Sequence, residues 1–369
     1  MHTIVSKRHL LLSFSLYHRN NTAQRDGGCV IISNVYKNER RRVMGEGELF
    51  RIAYIFFDII MPIGVGYCLK KRSVVSSGFC NGLIRFNIIV VMTALALLSF
   101  WTLPLRKELM ALPFFAYFNV IVPWLIVKVG RFDQRFTNVQ ERGSYLITAI
   151  PSNVGSLGGL CGYILYGETS FAYIQLMAVF QNLVMFFVLF PMGSYYKYGV
   201  EGGAGSSIRD IPWKNVFINK NQLAVVGMVV GAILYSNGIQ RPALMGDAFH
   251  FLIHFSAWAS LVPIGYMIDF AALPAYFKKT AELIPVKVVV TPLILYGVSL
   301  FFFEDPVLTG TMIIAMAAPC AINALIAVRL YNLNVNLSMA AFIGTNLFYI
   351  FVFYPLYYAA VVCNILPFK

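Results

Sequence analysis

Charge is what this sequence has least of. Only 12% of its 369 residues are Asp, Glu, Lys or Arg, where soluble domains carry roughly 25%. That deficit excludes an ordinary soluble protein. Acid is scarcer than base, with 16 Asp and Glu against 29 Lys and Arg, and there are five histidines. Six cysteines stand scattered at Cys29, Cys68, Cys80, Cys161, Cys320 and Cys363. No CxxC or His/Cys spacing joins them, so neither a disulfide framework nor a zinc site is indicated. Paired carboxylates are missing from the apolar blocks; Glu304-Asp305 falls in a short polar connection. A membrane enzyme acting on lipids needs such acids or histidines, so no enzymatic activity, cofactor or metal is expected.

What is present is apolar sequence in long blocks, 59% of the chain. A helix needs about 20 apolar residues to cross the hydrocarbon, and in lipid the backbone must satisfy itself, so the blocks must be helices. Ten spans are expected: 50–69, 86–105, 111–129, 144–166, 171–195, 223–237, 248–270, 283–302, 307–329 and 337–362. The formal charge of +13 sits between these blocks, where it orients a membrane protein rather than binding nucleic acid. Connections after the odd-numbered spans hold Lys70, Lys71, Arg72, Arg85, Lys128, Arg131, Arg135, Arg142, Lys197, Arg209, Lys214, Lys220, Lys278, Lys279 and Arg329. The other side has Arg106, Lys107, Arg241 and Lys369. The richer side belongs in the cytoplasm, which makes this a multi-pass cell-membrane protein with both termini outside. Trp101, Trp213, Tyr357 and Tyr358 serve as interface anchors. The basic tail, residues 1–47, conflicts with that orientation; it reads as disordered, and translation starting at Met44 would remove the conflict.

The blocks fall into two halves, residues 48–196 and 222–369, joined by a polar linker over 197–221. Asn182-Leu183 with Val188 and Pro191 recurs as Asn346-Leu347 with Val352 and Pro355. Val120-Ile-Val-Pro123 recurs as Val289-Val-Thr-Pro292, and Val65-Gly66 as Val230-Gly231. The offset lies near 165 residues. Five spans per half forces the second half to run in the opposite sense, the inverted-repeat plan of many secondary transporters.

Spans four and nine carry the chemistry. Pro151-Ser152-Asn153-Val-Gly155-Ser156-Leu-Gly158-Gly159 and Ala318-Pro319-Cys320-Ala-Ile-Asn323 each place a proline and polar groups mid-span. Proline removes a helix hydrogen bond and glycine loosens the backbone. Interrupted helices at matching places in two halves point to a transport site, whose exposed N–H groups favour an anion. Single proline-broken spans are also common for purely structural reasons. Charged groups within spans are functional suspects. Asp58, before Met61-Pro62, is either a carrier of a coupling proton or a paired interfacial acid. Lys287 could attract an anion, but is expected rather to snorkel toward the cytoplasmic headgroups, and Asp269 and Arg329 to lie at the interface. Asp247, His250 and His254 share a helix face at a spacing that could hold a metal, though no further ligand is evident.

The stretch Pro151-Ser-Asn153-Val-Gly155-Ser-Leu-Gly158 followed by Leu165-Tyr-Gly167 resembles the Asn-x-Gly-x-x-Gly segment of the auxin efflux carrier family. Ala318-Pro319-Cys-Ala-Ile-Asn323-Ala-Leu is similar to its second-half counterpart, and Pro263-Ile-Gly265, Lys287 and Pro292 fit as well. The resemblance covers about residues 49–362. It implies an all-α integral membrane protein of ten helices in two inverted five-helix repeats, with broken, crossing helices four and nine. It implies an efflux carrier for small organic anions, a homodimer as one assembly, and Pro151, Ser152, Asn153, Gly155, Pro319 and Asn323 lining the crossing. Cys320, Ala321 and Ser156-Leu157-Gly158-Gly159 depart from the family pattern. The long central loop of plant members is missing, as in short bacterial-type members. A sodium-coupled carrier of the bile-acid type is the alternative; a receptor without transport has no evident need of inverted symmetry.

Overall fold

The computed structural model describes residues 56–104, 106–198, 223–267 and 273–368. The basic tail with Met44, nearly all of the linker with Trp213, Asp269 and Lys369 lie outside them. Regular structure in the described residues is helical, apart from a two-residue bridge between Ser152 and Cys320. In chain order the helices are α1 (Met61–Lys71), α2 (Ser77–Phe100), α3 (Lys107–Val129), α4 (Val139–Ala149), α5 (Val154–Tyr166), α6 (Glu168–Lys197) and α7 (Leu223–Ser236). They continue as α8 (Ala243–Met267), α9 (Pro274–Thr280), α10 (Leu283–Ser299), α11 (Pro306–Met316), α12 (Ile322–Leu330) and α13 (Val335–Val362). Five of them, α2, α3, α6, α8 and α13, are long and apolar enough to cross a membrane. α9 and α10, bent by 52° to each other, are long and apolar enough only when taken together, which makes six if the pair is one span.

The lipid-facing surface is visible on α3. Phe114, Phe118, Ile121 and Leu125, three or four residues apart, stay exposed, while Leu112, Phe115, Ala116, Asn119, Val120 and Val127 are buried. A helix apolar on its exposed as well as its buried face belongs in lipid, not water. α2 begins nine residues before the expected start of its span, because the Ser76 hydroxyl caps it, accepting from the Phe79 N–H at 3.2 Å. Arg85, assigned to a connection, therefore lies inside α2.

Two close helix crossings organise the packing. A Cβ on Gly66 of α1 would fall 2.0 Å from the Val262 carbonyl oxygen and 2.8 Å from the Tyr266 nitrogen of α8. A Cβ on Gly231 of α7 would fall 2.4 Å from the Leu97 carbonyl oxygen of α2 and 3.0 Å from the nitrogen of Trp101, which caps it. Small residues are what allow membrane helices this near. α1, α2, α7 and α8 pack chiefly on one another, and α3–α6 and α9–α13 do likewise.

At one end, the turn Phe132–Arg135 buries Asp133 between α3 and α4. Its Oδ2 accepts from Lys128 Nζ at 2.7 Å and from Arg142 Nη2 at 2.7 Å. Burial alone would push this carboxyl up, but the bonds and charges of Lys128 and Arg142 together hold it below the ordinary range.

Candidate functional site

α4 ends at Ala149 because Pro151 has no N–H to continue the helical bonds. α11 ends at Met316 for the same reason at Pro319. Between each stop and the next helix the chain leaves the helical path, and the two pieces meet as an antiparallel bridge at Ser152 and Cys320. The Asn153 N–H donates to the Pro319 carbonyl at 2.7 Å, and the Ala321 N–H donates to the Pro151 carbonyl at 3.2 Å. The two breaks matched in the sequence thus cross and bond to each other.

The remaining peptide groups of the bridge are held from the sides. The Gln181 amide of α6 donates to the Ser152 carbonyl at 2.9 Å and accepts from the Ser152 N–H at 3.0 Å. On the opposite side, α13 supplies Thr345 Oγ1, which accepts from the Cys320 N–H at 3.2 Å, and Asn346 Nδ2, which donates to the Cys320 carbonyl at 3.1 Å. All three side chains are buried, so backbone groups that lost their helical partners are paired within the protein, as a low-dielectric interior requires.

Lys287 does not snorkel. Its side chain is 0% exposed, and its ammonium donates to the Ile150 carbonyl at 3.1 Å, the Pro151 carbonyl at 2.9 Å and Ser152 Oγ at 2.8 Å. The carbonyl end of a helix carries partial negative charge and unpaired acceptors. Here that end draws the cation inward instead of letting it reach the headgroups. The starts of α5 and α12 have no such compensation: neither Asn153 nor Ala321, the residues preceding them, makes a side-chain capping bond. Asn153 is buried; its Oδ1 accepts from Ser156 Oγ at 2.5 Å, while its Nδ2 has no partner among the described residues. Asn323 is partly exposed and donates to Asn182 Oδ1 at 3.4 Å. Gly155 faces α6, where its carbonyl accepts from Gln175 Nε2 at 2.7 Å. Two uncapped helix starts with an unpartnered amide donor beside one of them form an anion-accepting arrangement.

Asp58 lies in the wide turn Phe56–Ile60 preceding α1, is 4% exposed, and binds His254 Nδ1 of α8 through Oδ2 at 2.6 Å. One helical turn earlier, His250 Nδ1 bonds the Tyr163 hydroxyl of α5. Asp247 is exposed, so the three residues that share a face do not converge. Among the described residues no three His, Cys, Asp or Glu side chains gather in ligating geometry. Gln181, Thr345 and Asn346 were not singled out as site residues, though Asn182 and Asn346 stand in the repeated Asn-Leu motif that marks this level of α6 and α13. His254 was visible only as half of a metal spacing. No protein-family model and no curated protein matches this sequence.

Proposed function

We propose that the chain is a secondary transporter of small organic anions, of the auxin efflux carrier type, working by alternating access in a cell membrane. In this reading ten spans form two inverted five-helix repeats, α4–α5 and α11–α12 being spans four and nine. The observation that carries it is the reciprocal pair of backbone bonds between the two breaks. Exchanging the halves turns Asn153 N–H to Pro319 O into Ala321 N–H to Pro151 O. The glycine crossings support the same relation: moving Gly66, Leu97 and Trp101 on by the sequence offset near 165 gives Gly231, Val262 and Tyr266. Substrate sites of such repeats lie at the midplane between discontinuous helices.

An anionic substrate fits the charge balance. Lys287 neutralises one helix carbonyl end, and the uncapped starts of α5 and α12 leave positive dipole ends beside Asn153. Asn153, Ser152 and Asn323 supply polar contacts, and Pro151, Pro319 and Gly155 set the backbone around them. The helices α1, α2, α7 and α8 form one body and the remaining helices the other, rocking about the crossing. The Asp58–His254 pair is the candidate for proton coupling, since it adjoins the Tyr163–His250 bond between those bodies.

Flux of labelled mono- and dicarboxylates into proteoliposomes tests this. Asn153→Ala is expected to cut flux about tenfold or more, the equivalent of about 1.4 kcal/mol per factor of ten, with little change in melting temperature. Asp58→Asn is expected to keep flux but lose its response to an imposed pH gradient. Normal flux in both Asn153→Ala and Asn323→Ala, with the protein correctly inserted, sinks the crossing as the substrate site.

A further inference from the structure

The three oxygens around Lys287 Nζ make a cation site in their own right. Two are carbonyls at the unwound end of α4 and the third is the Ser152 hydroxyl, all between 2.8 and 3.1 Å from the nitrogen. Unwound carbonyls and half-helix carbonyl ends are the groups that coordinate sodium in transporters with broken helices. An ammonium has three donors and no acceptor, and each donor here has one oxygen. At the second break the matching Pro319 carbonyl accepts from the Asn153 N–H at 2.7 Å, and carbonyls in the last turn of α11 take neutral donors: Tyr349 hydroxyl to Ile314 O at 3.2 Å and Asn119 Nδ2 to Ala315 O at 3.4 Å. Among the described residues the positive charge thus sits at the first break, and it comes from a side chain with no exposed surface. Holding a charge there costs desolvation that the three oxygens and the helix dipole must offset.

We propose that Lys287 is a tethered counter-cation: its ammonium permanently occupies a monovalent-cation site at the end of α4, so that the crossing needs no sodium or potassium from solution. The consequence for coupling rests on the transport reading above, whereas the site itself does not. Removing the side chain uncovers a site for a small free ammonium ion. The atoms missing from an alanine at 287 are those of n-propylammonium.

The test measures melting temperature of purified full-length protein in chloride salts of n-propylammonium, sodium and choline, for wild type, Lys287→Ala and Lys287→Met. Wild type is expected to melt at one temperature in all three. Lys287→Ala is expected to melt several degrees lower in choline and to recover saturably with propylammonium, and to a smaller extent with sodium. Lys287→Met, similar in length but uncharged, is expected to stay low in every salt. Equal stability of wild type and Lys287→Met overturns the proposal, as does a folded Lys287→Ala that gains nothing from propylammonium. If Lys287→Ala yields no folded protein in any salt, the Met variant decides alone, a loss supporting the site and wild-type stability removing it. Anion flux supplies the second arm: wild-type flux is expected to be unchanged when sodium and potassium are replaced by choline. Flux that demands sodium overturns the tethered-cation role. Salt-dependent recovery of Lys287→Ala without flux of any anion in wild type keeps the site and removes the transport reading.

Discussion

The two breaks share a backbone and differ in charge. At both, a proline ends one helix, one residue bridges to the other break, and side-chain donors from a neighbouring helix hold its peptide groups. At the first, an ammonium binds the carbonyls past the helix end; at the second, the described donors are neutral, a tyrosine hydroxyl and an asparagine amide reaching carbonyls in the last turn of α11. Lys287 has no basic counterpart: with Pro123 matched to Pro292, the matching position is Phe118, an exposed apolar side chain. The difference teaches that the paired breaks supply shape and backbone pairing, while a residue present at only one of them supplies charge. Helix ends of both signs meet at the paired breaks, so a single buried cation there sets the sign of the local charge.

The shared part of the comparison is sharpened most by the glycine crossings. Gly66→Ala and Gly231→Ala each drive a methyl group into backbone at 2.0 Å and 2.4 Å, and helices cannot yield as a side-chain tip would. Overpacking of this kind costs typically 1–3 kcal/mol, occasionally more. Both variants are expected to fall at the high end and to lower melting temperature alike; indifference at either glycine breaks the equivalence of α1–α8 and α7–α2. Next come Gln181→Ala and Asn346→Ala. Each strips a donor from a buried bridge peptide, at about 1–3 kcal/mol for a group left unsatisfied. Comparable losses in a thermal melt are expected from the pair. Asn119→Ala should cost less, roughly 0.5–1.5 kcal/mol for one neutral bond, because its bond at 3.4 Å is long. A loss there as large as that of Lys287→Met would erase the distinction between the two carbonyl ends.

Much of this was legible in the sequence because apolar length and proline are local signals. The positions of most helices follow from block length, and Pro151 and Pro319 announce the breaks without any tertiary information. The bend between α9 and α10 and the early start of α2 were not legible, since the latter depends on the Ser76 hydroxyl finding the Phe79 N–H. The side-chain partners were hidden for a deeper reason. Whether Lys287 reaches headgroups or helix carbonyls depends on which way its helix face turns, and an apolar sequence with no amphipathic period does not fix that face. The Asp58–His254 bond joins residues 196 apart, and the sequence showed only that each was an unusual group within its span.

The smallest effect concerns another asymmetry between the halves. The approach to α4 is anchored by a buried acid, Asp133, taking Lys128 and Arg142, whereas at the start of α11 the more exposed Asp305 takes Arg106 alone at 3.0 Å and caps the helix, its Oδ1 accepting from Val307 N–H at 2.9 Å. Asp133 is held below the ordinary carboxyl range because Lys128 and Arg142 outweigh its burial. A carboxyl with a depressed folded pKa stabilises the fold above its unfolded value, about 3.9 for Asp, and loses that contribution as pH falls through the lower folded value. Lowering pH from neutral should therefore leave melting temperature nearly flat in this respect until about pH 4, then reduce it. Asp133→Asn should already be less stable at neutral pH, and the gap between it and wild type should narrow as the solution is acidified. Because both cations are partly exposed, with side-chain exposures of 32% and 38%, solvent screening keeps the difference to roughly 1 kcal/mol or less. A gap that widens in acid would mean that burial, and not the Lys128–Arg142 pair, sets the charge on Asp133.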